Sequence, residues 1–203
     1  MAAAGSTLGA DEQAVLDATV ELYANRLQAD DAALAYMARR GFPRELLERE
    51  RVGYAAGDEL ARYLAWRRLP LAAARRTGLL RANGREYLAG RIVFAETRAG
   101  HAIWLIGRIL EGQSDKPAPA GPRYLGLPGR KPLLGWDAAN RDLRGVCLVE
   151  GPTDLLALRH LGVPHWPFAG RTSRPRPRSC SADGHACTPS STTTLLAGMP
   201  LPA

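Results

Sequence analysis

Apolar residues near the start of the chain recur at helical spacing. Within residues 11–28, one face collects the apolar side chains Leu16, Val20, Tyr23 and Leu27. A repeat of three and four residues is typical of an amphipathic α-helix that buries one face. The pattern therefore predicts a helix over residues 11–28.

Capping residues and helix breakers predict where the next helices begin and end. Asp30 is a candidate N-cap for a helix that runs to Arg40, and Gly41 suits the stop after it. Pro43 fits the first turn of another short helix, because its missing N–H is not needed there. Two further helices are therefore expected before residue 50.

A third amphipathic pattern covers residues 58–69. Its core-facing side chains are predicted to be Leu60, Tyr63 and Leu64, with Trp66 as a further candidate. Pro70 breaks this helix, and the short helix after it is expected to end at Gly78.

After these helices the hydrophobic period changes to that of strands. Asn83-Gly84 is a strong signal for a two-residue hairpin turn. Residues 91–96 and 101–106 are rich in apolar side chains and predict two neighbouring strands. The Pro- and Gly-rich residues 111–122 predict a loop.

The next pattern is strand, acidic turn, helix and strand. Residues 146–149 form a continuous apolar run, which suits a strand covered on both faces. Residues 155–161 have a helical pattern, Gly162 is expected to end it, and residues 163–168 predict another strand. This order predicts a βαβ unit.

The composition fits a folded chain of 203 residues, because 46% are hydrophobic and 23% charged. No run approaches about 18 consecutive apolar residues, so no membrane-spanning helix and no membrane partner are expected. The first residues lack the pattern of a secretory signal. Three cysteines are too few for a disulfide framework, so a cytoplasmic location is expected.

The chain is basic, with a formal net charge of +7, and 25 of its 27 basic residues are arginine. Guanidinium groups match phosphate oxygens, so the excess is compatible with a nucleic-acid-binding surface. Arginine-rich coding in a GC-rich genome is the alternative explanation for most of it.

The composition changes abruptly after Gly170. Residues 171–203 contain no Val, Ile, Phe, Tyr or Trp, and five each of Pro, Ser and Thr. Such a segment buries too little apolar area to offset its ordering entropy, which predicts a disordered tail and raises the hypothesis of a shifted reading frame. The spacing of Cys180, His185 and Cys187 matches no common zinc module, so no zinc is expected.

The turn after residues 146–149 carries the candidate chemistry. Glu150 stands at the carboxyl end of that strand, where open α/β sheets place their sites, and Gly151 permits a tight turn. Asp154 falls in the first turn of the following helix. There it either stabilises the helix N-terminus or helps Glu150 hold a divalent cation. The residues alone leave both roles open.

Glu150-Gly151 and Asp154 match the first acidic motif of the Toprim domain, the topoisomerase–primase fold. Six upstream blocks stand in the order of the catalytic core of bacterial-type DNA primase. They are residues 35–43 (AYMARRGFP), 52–55 (VGYA), 78–94 (with GL and YLAGRIVF), 106–108 (IGR), 123–125 (RYL) and 131–135 (KPLLG). From about residue 15 to 170, the chain therefore resembles that family.

The resemblance implies an α+β fold in four parts. A disordered N-terminus (1–10) precedes a primase-core amino-terminal subdomain of helices and a short sheet (11–142). The first βαβ part of a truncated Toprim α/β domain (143–170) and the disordered tail (171–203) follow.

The resemblance also implies the site. Glu150 would be catalytic, and Glu150 with Asp154 would bind Mg²⁺ or Mn²⁺. The nucleic-acid-binding positions would be Arg91, Arg108, Arg123 and Lys131. The implied partners are single-stranded DNA, an RNA–DNA hybrid and ribonucleoside triphosphates, together with a replicative helicase through regions absent from this sequence.

The sequence departs from the family's pattern. It has no zinc-ribbon ligands before residue 30 and no Asp-x-Asp pair, which in the family supplies further metal ligands. The expectation is a primase-like fragment that binds the metal weakly and has impaired activity. The alternative is a non-catalytic module that binds single-stranded DNA. Another Toprim enzyme is a further alternative, and the upstream blocks argue against it. A small α/β protein with incidental motifs is the last alternative, and the absence of a groove between the two subdomains would favour it.

Overall fold

The computed structural model describes residues 8–57, 59–110, 121–129, 131–136, 147–162 and 165–166. The first helix, α1 (Ala10–Gln28), buries the predicted face, so that interpretation is confirmed. It begins one residue earlier than predicted, because the Glu12 side chain accepts a hydrogen bond from the Gly9 N–H at 3.1 Å. Leu8 packs against the core. The predicted disorder of residues 1–10 therefore fails for residues 8–10, and residues 1–7 lie outside the described part.

The next helices are α2 (Asp31–Arg39), α3 (Arg44–Arg49), α4 (Leu60–Trp66) and α5 (Leu71–Arg76). The predicted caps are confirmed. The Asp30 carboxylate accepts a hydrogen bond from the Ala33 N–H at 2.9 Å, and Gly41 adopts a φ of 82° in the stop after α2.

Trp66 does not face the core and is 76% exposed. Leu60 and Leu64 are one helical turn apart and fill the buried face of α4. Trp66 is two residues beyond Leu64, so it projects from the other side of the helix. The prediction of Trp66 as a further core-facing residue was therefore wrong.

A four-stranded antiparallel sheet follows the order β1-β2-β3-β4. Its strands are β1 (Gly53–Ala55), β2 (Arg91–Arg98), β3 (His101–Ile109) and β4 (Tyr124–Gly126). The two predicted strands are confirmed as β2 and β3. Strands β1 and β4 were not predicted, because three residues are too few to show an alternating pattern and pairing with longer strands defines them.

The predicted hairpin at Asn83-Gly84 is reduced to a tight turn with a single antiparallel bridge, Leu80 to Glu86. Gly84 has a φ of 80°, as a turn of this kind requires. The flanking segments do not extend into a ladder within the described residues.

Helix α1 lies against the sheet at very close range. A Cβ atom added to Gly53 would lie 2.5 Å from Tyr23 Cβ and 2.8 Å from its backbone carbon. No side chain fits between strand β1 and α1 at this point. The glycine therefore sets how closely the helix and the sheet approach.

The strand register separates the two faces of the sheet. Ile92, Arg108 and Tyr124 are paired across β2, β3 and β4 and so share one face. Their neighbours Val93 and Gly107, which also pair, share the opposite face. This alternation decides which basic side chains reach which surface.

The chain continues with β5 (Cys147–Leu148), α6 (Pro152–His160) and β6 (His165–Trp166). Strands β5 and β6 are parallel, which confirms the predicted βαβ unit. Together with the antiparallel sheet, it makes the fold α+β, as predicted. Most of the predicted loop, the boundary between residues 142 and 143 and the whole tail lie outside the described residues. None of the described helices is long and apolar enough to span a membrane.

Candidate nucleic-acid and metal-ion site

A cleft of about 990 Å³ lies between the Arg108 face of the sheet and the turn that carries Glu150. We call it the Glu150 cleft. Its charged lining residues are Arg40, Arg108, Arg123, Lys131, Glu150 and Asp154. Three of the four predicted nucleic-acid-binding residues and both predicted carboxylates therefore line one cavity.

The acidic side of the cleft is built by the start of α6. Gly151 is the N-cap residue with extended backbone (φ −130°), and Pro152 occupies the first helical position. Glu150 and Asp154 are both exposed to the cleft. A Cβ atom added to Gly151 would lie 2.9 Å from Asp154 Oδ2, so the Asp154 carboxylate lies directly beside that glycine.

A chain of hydrogen bonds joins the sheet to α6. Arg108 Nε donates to the Tyr36 hydroxyl at 3.0 Å, and Arg108 Nη1 donates to the Tyr124 hydroxyl at 2.6 Å. The Tyr124 hydroxyl is also 3.1 Å from Thr153 Oγ1. This connection places the first turn of α6, and the adjacent Glu150, against strands β3 and β4.

Arg108 is only 2% exposed, although it lines the cleft. Burial opposes its charge, but hydrogen bonds from its guanidinium to the hydroxyls of Tyr36 and Tyr124 outweigh that penalty and raise its pKa. The side chain therefore keeps a positive charge beneath the cleft surface. Two of its nitrogens already donate to tyrosine hydroxyls. Arg108 therefore positions these tyrosines and adds positive electrostatic potential to the cleft.

The accessible cations of the cleft are Arg40, Arg123 and Lys131. Arg40 and Arg123 are exposed, and the Arg40 guanidinium lies 5.8 Å from the centre of the Tyr36 ring. Lys131 is half-buried, and burial lowers the pKa of its amine. These three side chains can meet phosphate groups directly.

Arg91 stands apart from this group. It is 2% exposed, and its Nη1 donates to the Pro122 carbonyl at 2.9 Å and the Arg123 carbonyl at 3.4 Å. Burial lowers its pKa. Arg91 shares the sheet face of Val93 rather than that of Arg108, so it does not line the Glu150 cleft.

Helix α6 is also tied to α3. Arg159 Nη1 lies 2.6 Å from Glu50 Oε2, and both side chains are largely buried. Leu155 and Leu156 enter the core on the inner face of the helix. These contacts orient the helix that carries Asp154.

One tryptophan of the site region, Trp104, packs in the core. Trp104 is buried, its Nε1 donates to the Leu127 carbonyl at 3.0 Å, and its ring occupies the space above Gly126. These contacts fix the Trp104 ring against the sheet. The Trp136 ring lies 5.8 Å from the Arg98 guanidinium. The side chain of Trp166 lies outside the described part.

Two carboxylates suit a hard divalent cation only in part. Glu150 and Asp154 offer oxygen ligands in one accessible cleft, which is the chemistry that Mg²⁺ and Mn²⁺ prefer. Within the described ranges, no third His, Cys, Asp or Glu joins them in a metal-binding group. The two residues could hold a cation whose other ligands are water or phosphate oxygens.

Sequence reasoning missed four residues that build this cleft: Arg40, Tyr36, Tyr124 and Thr153. Tyr36 and Arg40 belong to the block at residues 35–43, where the resemblance offered a signal that went unused. Tyr124 lies within the block at residues 123–125. Thr153 had no signal of its own, because its role depends on the hydroxyl of Tyr124 across the fold.

Neither a family model nor a curated protein sequence matches this chain. Solved structures do match it. The RNA polymerase domain of Mycobacterium tuberculosis primase DnaG, in complex with a double-stranded DNA oligomer with a 6-nucleotide overhang, is 22% identical with a TM-score of 0.67. That match covers 80% of this chain and 56% of the other.

Two further structures agree. A DNA primase domain from Pseudomonas aeruginosa is 29% identical with a TM-score of 0.63, covering 76% of this chain and 52% of that one. A DnaG primase catalytic domain bound to single-stranded DNA is 21% identical with a TM-score of 0.62, covering 76% and 54%. The chain spans about half the length of these structures.

The fold is therefore that of a primase catalytic core. More particularly, the described residues have the fold of a DnaG-like primase core, the RNA polymerase domain found in several bacteria.

Proposed function

We propose that this chain is a DNA primase-type protein that binds single-stranded DNA in the Glu150 cleft. The observation that carries the proposal is the composition of that cleft. Exposed Arg40 and Arg123 and half-buried Lys131 line one cavity with the carboxylates of Glu150 and Asp154. Cations hold phosphates, and carboxylates bind the metal used in phosphoryl transfer. Two of the similar solved structures are complexes with DNA, which supports this function.

The reaction class is nucleotidyl transfer, with ribonucleoside triphosphates as substrates and an RNA–DNA hybrid as product. A 3′-hydroxyl would attack an α-phosphate, and pyrophosphate would leave. Glu150 would orient the attacking hydroxyl or accept its proton, and Arg40, Arg123 and Lys131 would position phosphates. Bound Mg²⁺ or Mn²⁺, held by Glu150 and Asp154, would supply charge stabilisation.

We infer that these 203 residues alone synthesise little or no primer. The sequence contains no Asp-x-Asp pair. Within the described ranges, only two carboxylates converge on the cleft, whereas a hard cation needs several oxygen ligands. Nucleic-acid binding has no such requirement, because it depends on cations that are present. The chain therefore retains the binding function more fully than the catalytic one.

A binding experiment tests the first part. The chain should bind a fluorescent single-stranded DNA, and the pair Arg123→Gln and Lys131→Gln should weaken binding about tenfold and reduce the salt slope by about 1.4. Arg91 and Arg108 are unsuitable for this test because both are buried. Unchanged affinity in the cleft pair would refute DNA binding in this cleft.

The matched control is the pair Arg62→Gln and Arg75→Gln, which removes the same charge from exposed positions of α4 and α5. It should leave the affinity nearly unchanged. Glu150→Ala should also preserve DNA binding, since that residue is assigned to catalysis. An equal loss in the control pair would mean that binding follows net charge rather than the cleft.

A primer-synthesis assay tests the second part. With a single-stranded template, ribonucleoside triphosphates and Mg²⁺ or Mn²⁺, little or no product is expected. Manganese binding by electron paramagnetic resonance should show a weak site, on the order of millimolar, that the pair Glu150→Gln and Asp154→Asn removes. Robust primer synthesis that depends on Glu150 would overturn the inferred loss of activity and leave DNA binding intact.

A further inference from the structure

A second cavity, of about 330 Å³, lies on the opposite face of the sheet from the Glu150 cleft. We call it the Arg81 pocket. Three arginines line it, Arg81, Arg85 and Arg91. Strand register explains the side on which it lies, because Arg91 alternates with Ile92, the partner of Arg108. Arg91 thus belongs to this pocket.

The tight turn at residues 81–85 holds two of these arginines in place. The Arg81 N–H donates to the Arg85 carbonyl at 2.9 Å, and the Arg85 N–H donates to Asn83 Oδ1 at 3.1 Å. The Arg81 guanidinium also lies 5.1 Å from the centre of the Tyr87 ring. Both arginines are nevertheless exposed, so their charges are accessible at the rim.

Among the described residues that line the pocket, Glu86 is the acid. Its carboxylate is buried and already has three donors. The Tyr23 hydroxyl donates to Oε2 at 2.9 Å, and the N–H groups of Glu59 and Leu60 donate to Oε1 at 2.9 and 2.8 Å. Glu86 therefore holds the N-terminus of α4. The exposed Arg81 and Arg85 make the rim of the pocket a site for an anion, and the buried Arg91 adds positive potential without a direct contact.

Arginines are concentrated in the segment that leads to this turn. Residues 60–85 contain seven arginines and no acidic residue. A general coding preference for arginine would not by itself remove acidic residues from one segment. The segment delivers two of its arginines, Arg81 and Arg85, to the pocket.

The Arg81 pocket and the Glu150 cleft share a boundary. Leu125, in strand β4, lines both cavities. Strand β4 stands at the edge of the four-stranded sheet, so the two cavities adjoin around that edge. Among the described residues Leu125 is the lining residue that the two cavities share, so a strand that left the cleft for the pocket would pass this edge.

We propose that the Arg81 pocket binds a backbone phosphate of the same single-stranded nucleic acid whose adjoining part occupies the Glu150 cleft. This inference rests on the proposed function. The pocket would act as an anchoring subsite that makes no contact with the reacting atoms. It would add affinity for strands long enough to pass around β4, and none for shorter ones.

The test compares oligonucleotides of about 6 and about 20 nucleotides with the full chain. For the pair Arg81→Gln and Arg85→Gln, affinity for the long strand should fall about tenfold and its salt slope by about 1.4. Affinity for the short strand should stay unchanged. The pair Arg81→Lys and Arg85→Lys, which keeps the charge, should recover part of the loss, and this recovery excludes misfolding as the cause.

Several outcomes overturn the proposal. Unchanged binding of the long strand, equal losses for both lengths, or an equal loss in the control pair Arg62→Gln and Arg75→Gln would each do so. If a free ribonucleoside triphosphate competes only with the long strand, the pocket takes that triphosphate instead. The two proposals can fail separately. The Arg81 and Arg85 variants test binding in the pocket, whereas the Arg123 and Lys131 variants test DNA binding in the Glu150 cleft.

Discussion

The antiparallel sheet with its helices and the acidic element at residues 147–162 are held by different contacts. The first is an apolar structure in which α1 covers the sheet and side chains such as Leu16 and Leu105 are fully buried. The second adds Leu155 and Leu156 to that core, with Val149 and Ala157 packed against it, and is also joined by the polar contacts of Thr153 and Arg159. Arg40 and Arg108 are therefore carried by elements of the apolar region, whereas the position of Glu150 depends more on directional bonds such as the contact between Tyr124 and Thr153.

This difference separates two properties of the site. A hydrogen bond adds about 0.5–1.5 kcal/mol, whereas a fully buried leucine adds more through burial and packing. Loss of one polar contact should displace the acid without unfolding the sheet. Binding of nucleic acid and placement of the carboxylates can therefore be changed independently.

The largest expected effect comes from the apolar region. Leu105→Ala leaves a cavity in the sheet core and should lower the free energy of unfolding by about 2–5 kcal/mol, measured by urea denaturation. The matched variant Leu161→Ala changes a residue that is 71% exposed after α6, so it should alter stability by less than about 0.5 kcal/mol. Similar losses in both would contradict the contrast between the regions.

An intermediate effect is expected at the connection between them. Tyr124→Phe removes the hydroxyl that meets both Arg108 and Thr153, and should cost about 1–3 kcal/mol because buried polar groups lose a partner. Thr153→Val removes only the contact to α6 and should cost about 1 kcal/mol.

Hydrogen exchange of α6 is the discriminating measurement for the Tyr124 and Thr153 variants. Both should increase exchange in α6 more than in α1. Uniform acceleration in the two helices would show that this connection supports the whole fold rather than the acidic element alone.

The smallest effect concerns pH. Burial raises the pKa of the Glu96 carboxyl, although the Gly135 amide and Arg98 partly oppose it. The folded state then binds this proton more tightly than the unfolded state, so the contribution of Glu96 to stability increases as pH falls from neutral through its raised pKa. Most paired carboxylates contribute in the opposite direction.

Glu96→Gln should therefore remove a stabilising contribution that develops only on acidification. The unfolding free energy of the parent minus that of the variant should increase as pH falls toward the ordinary carboxyl range. Glu45→Gln, at an exposed position of α3, is the control. A decrease in this free-energy difference on acidification would refute the raised pKa of Glu96.

Local patterns in the sequence were sufficient to predict most of the described helices. The apolar spacing of α1, the Asp30 cap and the glycine after α2 are short-range features, and each was predicted. The prediction for Trp66 failed because this residue is two positions beyond Leu64 and therefore projects from the other side of α4. The short strands β1 and β4 were not predicted, because they are defined by pairing with strands elsewhere in the chain.

By itself, the sequence determined the acid after a short strand, the helix behind it and the excess of arginine. Only the tertiary structure decided which arginines face that acid. Arg91 and Arg108 lie on adjacent strands, yet alternation of side chains across the sheet sends them to opposite faces. Arg40 comes from a distant helix and joins the cleft. The physical reason is that spacing along the chain determines local geometry, whereas strand register and helix packing determine which surfaces meet.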